Sequence, residues 1–189
     1  GDQLLRKQTR LLAQAGGTDA ETIDRITQQQ EKFFKLVREG ASKEQLREAV
    51  RPVLRTQLEA MAGQEDISDE QLEAVMGPQL EMMTSDWMQY FLRFDPAPVL
   101  RNVNCPVLAI NGTKDLQVWH EQNLDAIQRI MQDADGEITI KRYNGLNHLF
   151  QPAETGSIME YGEIETTIDE QVLRDMTQWI KNNVGSDGT

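Results

Sequence analysis

Two apolar runs that each end in a turn constrain this chain most. The first is Pro106-Val-Leu-Ala-Ile-Asn-Gly-Thr-Lys-Asp115, and the second, Ile138-Thr-Ile-Lys-Arg-Tyr143, enters Asn144-Gly-Leu-Asn-His148. Short aliphatic and β-branched runs bounded by Asn and Gly read as strands, over Val107 to Asn111 and Glu137 to Tyr143. Between them, Leu124, Ile127 and Ile130 mark the apolar face of a helix from about Glu121 to Gln132. A further helix is expected over Asp169 to Asn182. The β-α-β-α order implies parallel strands joined by a right-handed crossover, so the fold class is α/β. Each strand then delivers one polar group to its carboxyl end, first Asp115 and then His148.

The carboxyl edge of a parallel sheet is where open α/β folds place their sites. An acid and an imidazole held there form two-thirds of a Ser-His-acid apparatus: the acid orients the ring and the ring takes the nucleophile's proton. Each residue also has a plain structural reading, an aspartate bonding its own turn and a histidine satisfied at the surface or in the core. Their placement at one edge makes the pair worth more than its parts. No Gly-x-Ser-x-Gly occurs in the chain. Its serines, Ser42, Ser68, Ser85, Ser157 and Ser186, stand outside any strand-turn-helix context, and Ser157 is the one near His148 in sequence.

Composition narrows the partners. With 39% apolar and 26% charged residues the chain is ordinary globular material, long enough at 189 residues for a real core. No apolar stretch approaches the roughly 20 residues that cross a bilayer. A formal net charge of -12 opposes phosphate binding, so no nucleic-acid partner is expected. Between Ala153 and Thr189, eight acids face only Arg174 and Lys181, and this reads as a solvated acidic surface. The single cysteine, Cys105, allows no internal disulfide; it is expected to be a buried thiol and does not report the compartment. His120 and Glu121 lack the fixed ligand spacing of a zinc site, so His120 is expected to face solvent. No metal or organic cofactor is implied.

The first ninety or so residues read as amphipathic helices with repeating punctuation. Gly16-Gly17 precedes Thr18-x-x-Glu21, Gly40 precedes Ser42-x-x-Gln45, and Gly63 precedes Ser68-x-x-Gln71, each a stop followed by a capping-box start. Ile23, Ile26, Phe33 and Val37 share one stripe; Leu46, Val50, Val53, Leu54, Leu58 and Met61 form another. Pro52 is expected to kink its helix, and Gly77-Pro78 to break the next near Met76. Ser85 to Phe94 holds Trp87, Tyr90, Phe91 and Phe94, aromatics at helical spacing that more often pack a core than line a pocket. Asp95-Pro-Ala-Pro98 forbids regular helix, which divides the chain into 1–94 and 95–189. The long loop between His148 and Asp169 exceeds the usual connection length and holds Tyr161 and Glu163, candidates for shaping a substrate entrance.

From Trp87 to Ile180 the chain resembles the C-terminal half of the α/β-hydrolase superfamily, in its bacterial branch related to prolyl-oligopeptidase-like peptidases and acyl esterases. The residues that carry the likeness are Tyr90-Phe-Leu-Arg-Phe-Asp-Pro-Ala-Pro98, Cys105-Pro-Val-Leu-Ala-Ile-Asn-Gly-Thr-Lys-Asp-Leu-Gln-Val118, Gly145-Leu-Asn-His-Leu-Phe-Gln151 and Glu160-Tyr-Gly-Glu-Ile-Glu165. The resemblance implies that Asp115 is the triad acid and His148 the triad base. It implies that residues 1–94 are the helical cap and that 95–189 supply the last two strands of the sheet. Nucleophile, acid, histidine is the chain order of that fold, so the nucleophile is expected upstream and this chain is expected to be a C-terminal fragment, inactive alone. The parent substrate is then a small ester or peptide. The unpaired edge of the Val107 strand is expected to make the fragment self-associate. The rival expectations are a self-contained, non-catalytic α/β interaction module and a degenerate hydrolase fold recruited for binding.

Overall fold

The computed structural model describes residues 1–62 and 67–184, so the stop signal at Gly63 and the serine at 186 lie outside the described residues, as does the side chain of Met61. Contacts divide the chain into two compact units, one of residues 1–6 and 19–94, the other of 7–18 and 95–189. The chain is mixed α/β, mostly helical, with a two-stranded parallel sheet.

The first unit is built from helices: the start of α1 (Asp2–Ala15), then α2 (Ala20–Glu39), α3 (Lys43–Ala62), α4 (Asp69–Met83) and α5 (Asp86–Arg93). Serine boxes start α3 and α4 where their spacing places them. The Gln45 and Gln71 side chains return to the Ser42 and Ser68 amides at 2.9 and 3.0 Å. Helix α2 differs by one residue. The Thr18 amide is already engaged by the Ala13 carbonyl at the end of α1, so Asp19 caps α2 instead, accepting from the Thr22 amide at 2.9 Å. The buried stripes of α2 (Phe33, Phe34, Val37), α3 (Leu46, Leu54), α4 (Leu72, Met76, Leu80) and α5 (Met88, Leu92) meet in one core. Arg51 and Arg55 both bind Asp69, tying α3 to α4.

Three expectations for this part of the chain are corrected. Helix α4 does not break at Met76 but runs through Gly77 and Pro78. Leu72, Met76 and Leu80 are all buried on one face, and burying that stripe outweighs the local cost of the two breakers. The aromatics of α5 are not uniformly core: Trp87 and Tyr90 stand 65% and 64% exposed, Trp87 stacked on Phe91 and Tyr90 tilted against Phe94, while Met88 and Leu92 supply the burial. The Asp95–Pro98 segment passes directly into one helical turn, α6 (Ala97–Leu100). Its prolines occupy the cap and first turn, where a missing N–H breaks no intrahelical bond.

The second unit is a helix-sheet-helix sandwich. Strand β1 (Val107–Gly112) leads through α7 (His120–Met131) to β2 (Ile138–Tyr143), paired in parallel with Val107 opposite Ile138 and Gly112 opposite Tyr143. Alternation assigns the two faces. Arg142 binds Asp125 of α7, whereas Thr139, Lys141 and Tyr143 bond Trp179 or Asp175 of α8 (Glu170–Val184). Ile110, Tyr143, Leu146, Phe150, Val172 and Met176 form the core on the α8 side. Cys105, expected to be buried, is exposed, because it precedes the strand rather than entering it. His120 begins α7 half-buried rather than solvent-facing, its ring against Trp119 at 4.7 Å.

Among the described residues each strand is paired on one side only. The amides of Val107 and Thr113 donate to carbonyls of the β2 segment. By the alternation of a parallel ladder, those of Leu108 and Ile110 therefore point away from β2. Val107 to Ile110 are only half-buried, unusual for parallel strands, whose faces are normally covered throughout.

Candidate active site

The two strand ends converge as their shared register requires. Gly112 ends β1 where the Leu146 carbonyl crosses it; a Cβ there would stand 2.1 Å from that oxygen, so only glycine permits the approach. The Lys114 amide then donates to the same Leu146 carbonyl at 2.9 Å. This stitching brings the residue three beyond β1 against the residue five beyond β2. Asp115 Oδ2 lies 2.9 Å from His148 Nδ1.

The environments of the two partners differ sharply. Asp115 is 1% exposed, and four donors surround its carboxylate. Asn111 Nδ2 reaches Oδ2 at 2.7 Å, the Gln117 and Val118 amides reach Oδ1 at 2.9 and 2.8 Å, and the imidazole completes the set. Those bonds use the acceptor capacity of a carboxylate and fix its plane. The His148 side chain is 37% exposed. In the neutral ring an Nδ1–H donated to Asp115 leaves Nε2 as a bare acceptor, the tautomer a general base needs.

The loop that presents His148 is held by buried amides. Asn147 is fully buried; its Oδ1 accepts the Leu149 and Gln151 amides at 2.9 and 3.0 Å, and its Nδ2 donates to Gln151 Oε1. Gln151 in turn donates to the Thr166 carbonyl at 3.0 Å. Phe150 sits at a φ of 58°, a conformation bulky residues seldom adopt. It is kept there by the hydrogen bond its backbone amide donates to the Asn147 carbonyl and by its edge-on contact with Tyr143 at 6.0 Å. Sequence reasoning assigned no role to Asn111, Gln117, Asn147 or Gln151. The available signal was an amide at the end of an otherwise apolar strand, at Asn111, and a second directly before the histidine.

The long loop from His148 to Asp169 contains a 3-10 helix, Ile158–Glu163, and brings Tyr161 to the site. The Tyr161 hydroxyl accepts from Gln117 Nε2 at 2.9 Å. Burial pushes its phenol above the ordinary 10.0; the bond from Gln117 works against that shift and the charge of Asp115 adds to it. Glu163 is exposed, with no side-chain bond to the site.

None of the candidate serines stands at His148 Nε2 among the described residues. Ser42, Ser68, Ser85 and Ser157 each spend their hydroxyl on a helix cap; Ser157 Oγ accepts the Met159 amide at 3.2 Å. No group of acids, histidines and cysteine fit to hold a metal ion occurs among the described residues, and no helix there is long and apolar enough to cross a membrane. No protein-family model, curated protein or solved structure matches this chain.

Proposed function

We propose that Asp115 and His148 are the acid and the base of a serine hydrolase of the α/β-hydrolase type, and that its nucleophile comes from sequence preceding residue 1. The observation that carries the reading is the 2.9 Å contact between a fully buried, fourfold hydrogen-bonded carboxylate and Nδ1 of a partly exposed imidazole, both at the carboxyl edge of one parallel sheet. In this reading His148 Nε2 takes the serine proton as the serine oxygen bonds to the carbonyl carbon of an ester or peptide. It returns that proton to the departing alcohol or amine, and water then clears the acyl-enzyme by the same exchange. Asp115 holds the ring in its tautomer and balances the charge it acquires. Residues 1–94 act as a cap governing access, and the unpaired edge of β1 is where an earlier strand of the parent sheet adds.

Labelling with a fluorophosphonate, run on this chain and on the product of its complete gene, tests the reading. Label is expected on the complete product alone, and His148→Ala abolishes it. The isolated chain is expected to fall about a million-fold short in kcat, the cost of removing the nucleophile from a triad. If the complete product does not label, Asp115 and His148 return to structural roles and the chain is an interaction module.

A further inference from the structure

The Tyr161 hydroxyl is placed beside the Asp115–His148 pair by a loop fixed at each turn. Lys114 Nζ donates to the Ala153 and Glu154 carbonyls, both at 2.6 Å. Gly156, at a φ of 81°, lies on the Lys114 carbonyl so closely that a Cβ would stand 1.9 Å from it. The Glu160 carboxylate accepts the Thr155 and Gly156 amides, and although its slight burial acts the other way, those bonds hold its carboxyl below the usual 4.5. Ser157 caps the 3-10 helix. Tyr161 is thus carried on a preorganised support, the condition under which a single donor contributes most to binding.

One residue joins this phenol to the acid. The backbone amide of Gln117 binds Asp115 Oδ1 while its side-chain amide binds the Tyr161 oxygen. With that bond accepted, the phenol retains its own hydrogen, for which no hydrogen bond is made among the described residues. At neutral pH the group is a donor and not a base, since its proton is held above 10.0. Ile158 stands three positions earlier, and in a 3-10 helix such positions eclipse, so an exposed apolar side chain shares the face of Tyr161. From Asn144 to Leu173 the chain has six acids and no lysine or arginine, and with the Lys114 ammonium held on this loop the balance stays negative, a field that repels anionic ligands.

We propose that Tyr161 is a substrate-binding residue whose hydroxyl donates a hydrogen bond to a neutral acceptor oxygen of an acyl substrate lying against His148, with an uncharged acyl chain preferred over one that ends in a carboxylate. This rests on the hydrolase reading given above. The test measures kcat and KM of the complete gene product, and its fluorophosphonate labelling, with two p-nitrophenyl esters of equal chain length, one uncharged and one ending in a carboxylate. Tyr161→Phe is expected to lower kcat/KM for the uncharged ester about tenfold, as for one lost substrate hydrogen bond, with labelling and melting temperature kept. The uncharged ester is expected to be the better substrate of the parent protein.

An unchanged kcat/KM in a labelled, folded Tyr161→Phe protein overturns the inference and leaves the hydrolase reading standing, as does a parent protein that prefers the carboxylate ester. A complete product that takes no label removes both. Where Tyr161→Phe loses its melting transition, Gln117→Leu decides, since it leaves the ring in place and frees the phenol. A rise in KM of about threefold supports the inference, and an unchanged KM overturns it.

Discussion

At the scale of single residues, the chain's chemistry is set by which polar groups are buried with partners. Asp115 carries four donors, and the histidine it orients is left half in solvent. In nitrogen-15 spectra of this chain, neutral His148 is therefore expected to show a protonated Nδ1 and a bare Nε2, and Asp115→Ala to give a mixture of tautomers. A single tautomer in both proteins would break the link between the carboxylate and the ring. On the α8 side of the sheet, burial pushes the Tyr143 phenol from 10.0 up to about 12, with the Asp175 carboxylate beside it adding to the shift. Folding thus favours the protonated phenol. That contribution is complete below pH 10 and is lost as pH rises toward 12, so denaturant midpoints should fall over that window. Tyr143→Phe should lessen the decline.

At the scale of elements, local propensity and tertiary burial disagree most in α4. Gly77 and Pro78 sit inside it, and the helix persists because the Leu72, Met76 and Leu80 stripe is buried. A Cβ at Gly77 would meet nothing within 4 Å. Gly77→Ala should accordingly raise stability by about 0.5–1 kcal/mol, the entropy difference between the two residues in a helix, read as a higher urea midpoint with an unchanged slope. The capping boxes of α3 and α4 show the opposite case. Their signals are local, three residues apart, so tertiary context has little to override.

At the scale of the whole molecule, β1 is paired on one side only among the described residues, and its outward amides at Leu108 and Ile110 are expected to make it an edge for strand addition. A second copy of the chain is the available partner when the isolated polypeptide is concentrated. Light scattering is expected to show a mass that rises toward the dimer with concentration, and a constant monomer mass up to high concentration would count against pairing at this edge. The formal charge of -12 opposes close approach, so added salt should shift the equilibrium toward the larger species.

What the sequence by itself determined is whatever a few neighbouring residues decide: the strand-turn segments that end near Asp115 and His148, the serine boxes that start α3 and α4, and the apolar stripes of α2 and α3. The strand ends and their order along the chain were enough to bring acid and imidazole to one edge, because parallel pairing leaves both carboxyl ends on the same side. Only the tertiary structure decided the rest. Asn111 and Asn147 bond partners only two to four residues away, yet their burial, like the exposure of Trp87 and Tyr90, the survival of α4 across Gly77-Pro78 and the delivery of Tyr161 to Gln117, is set by how the whole chain packs. Burial and hydrogen-bond satisfaction are properties of the packed chain, and a linear pattern records them only where the partner lies within a turn or two.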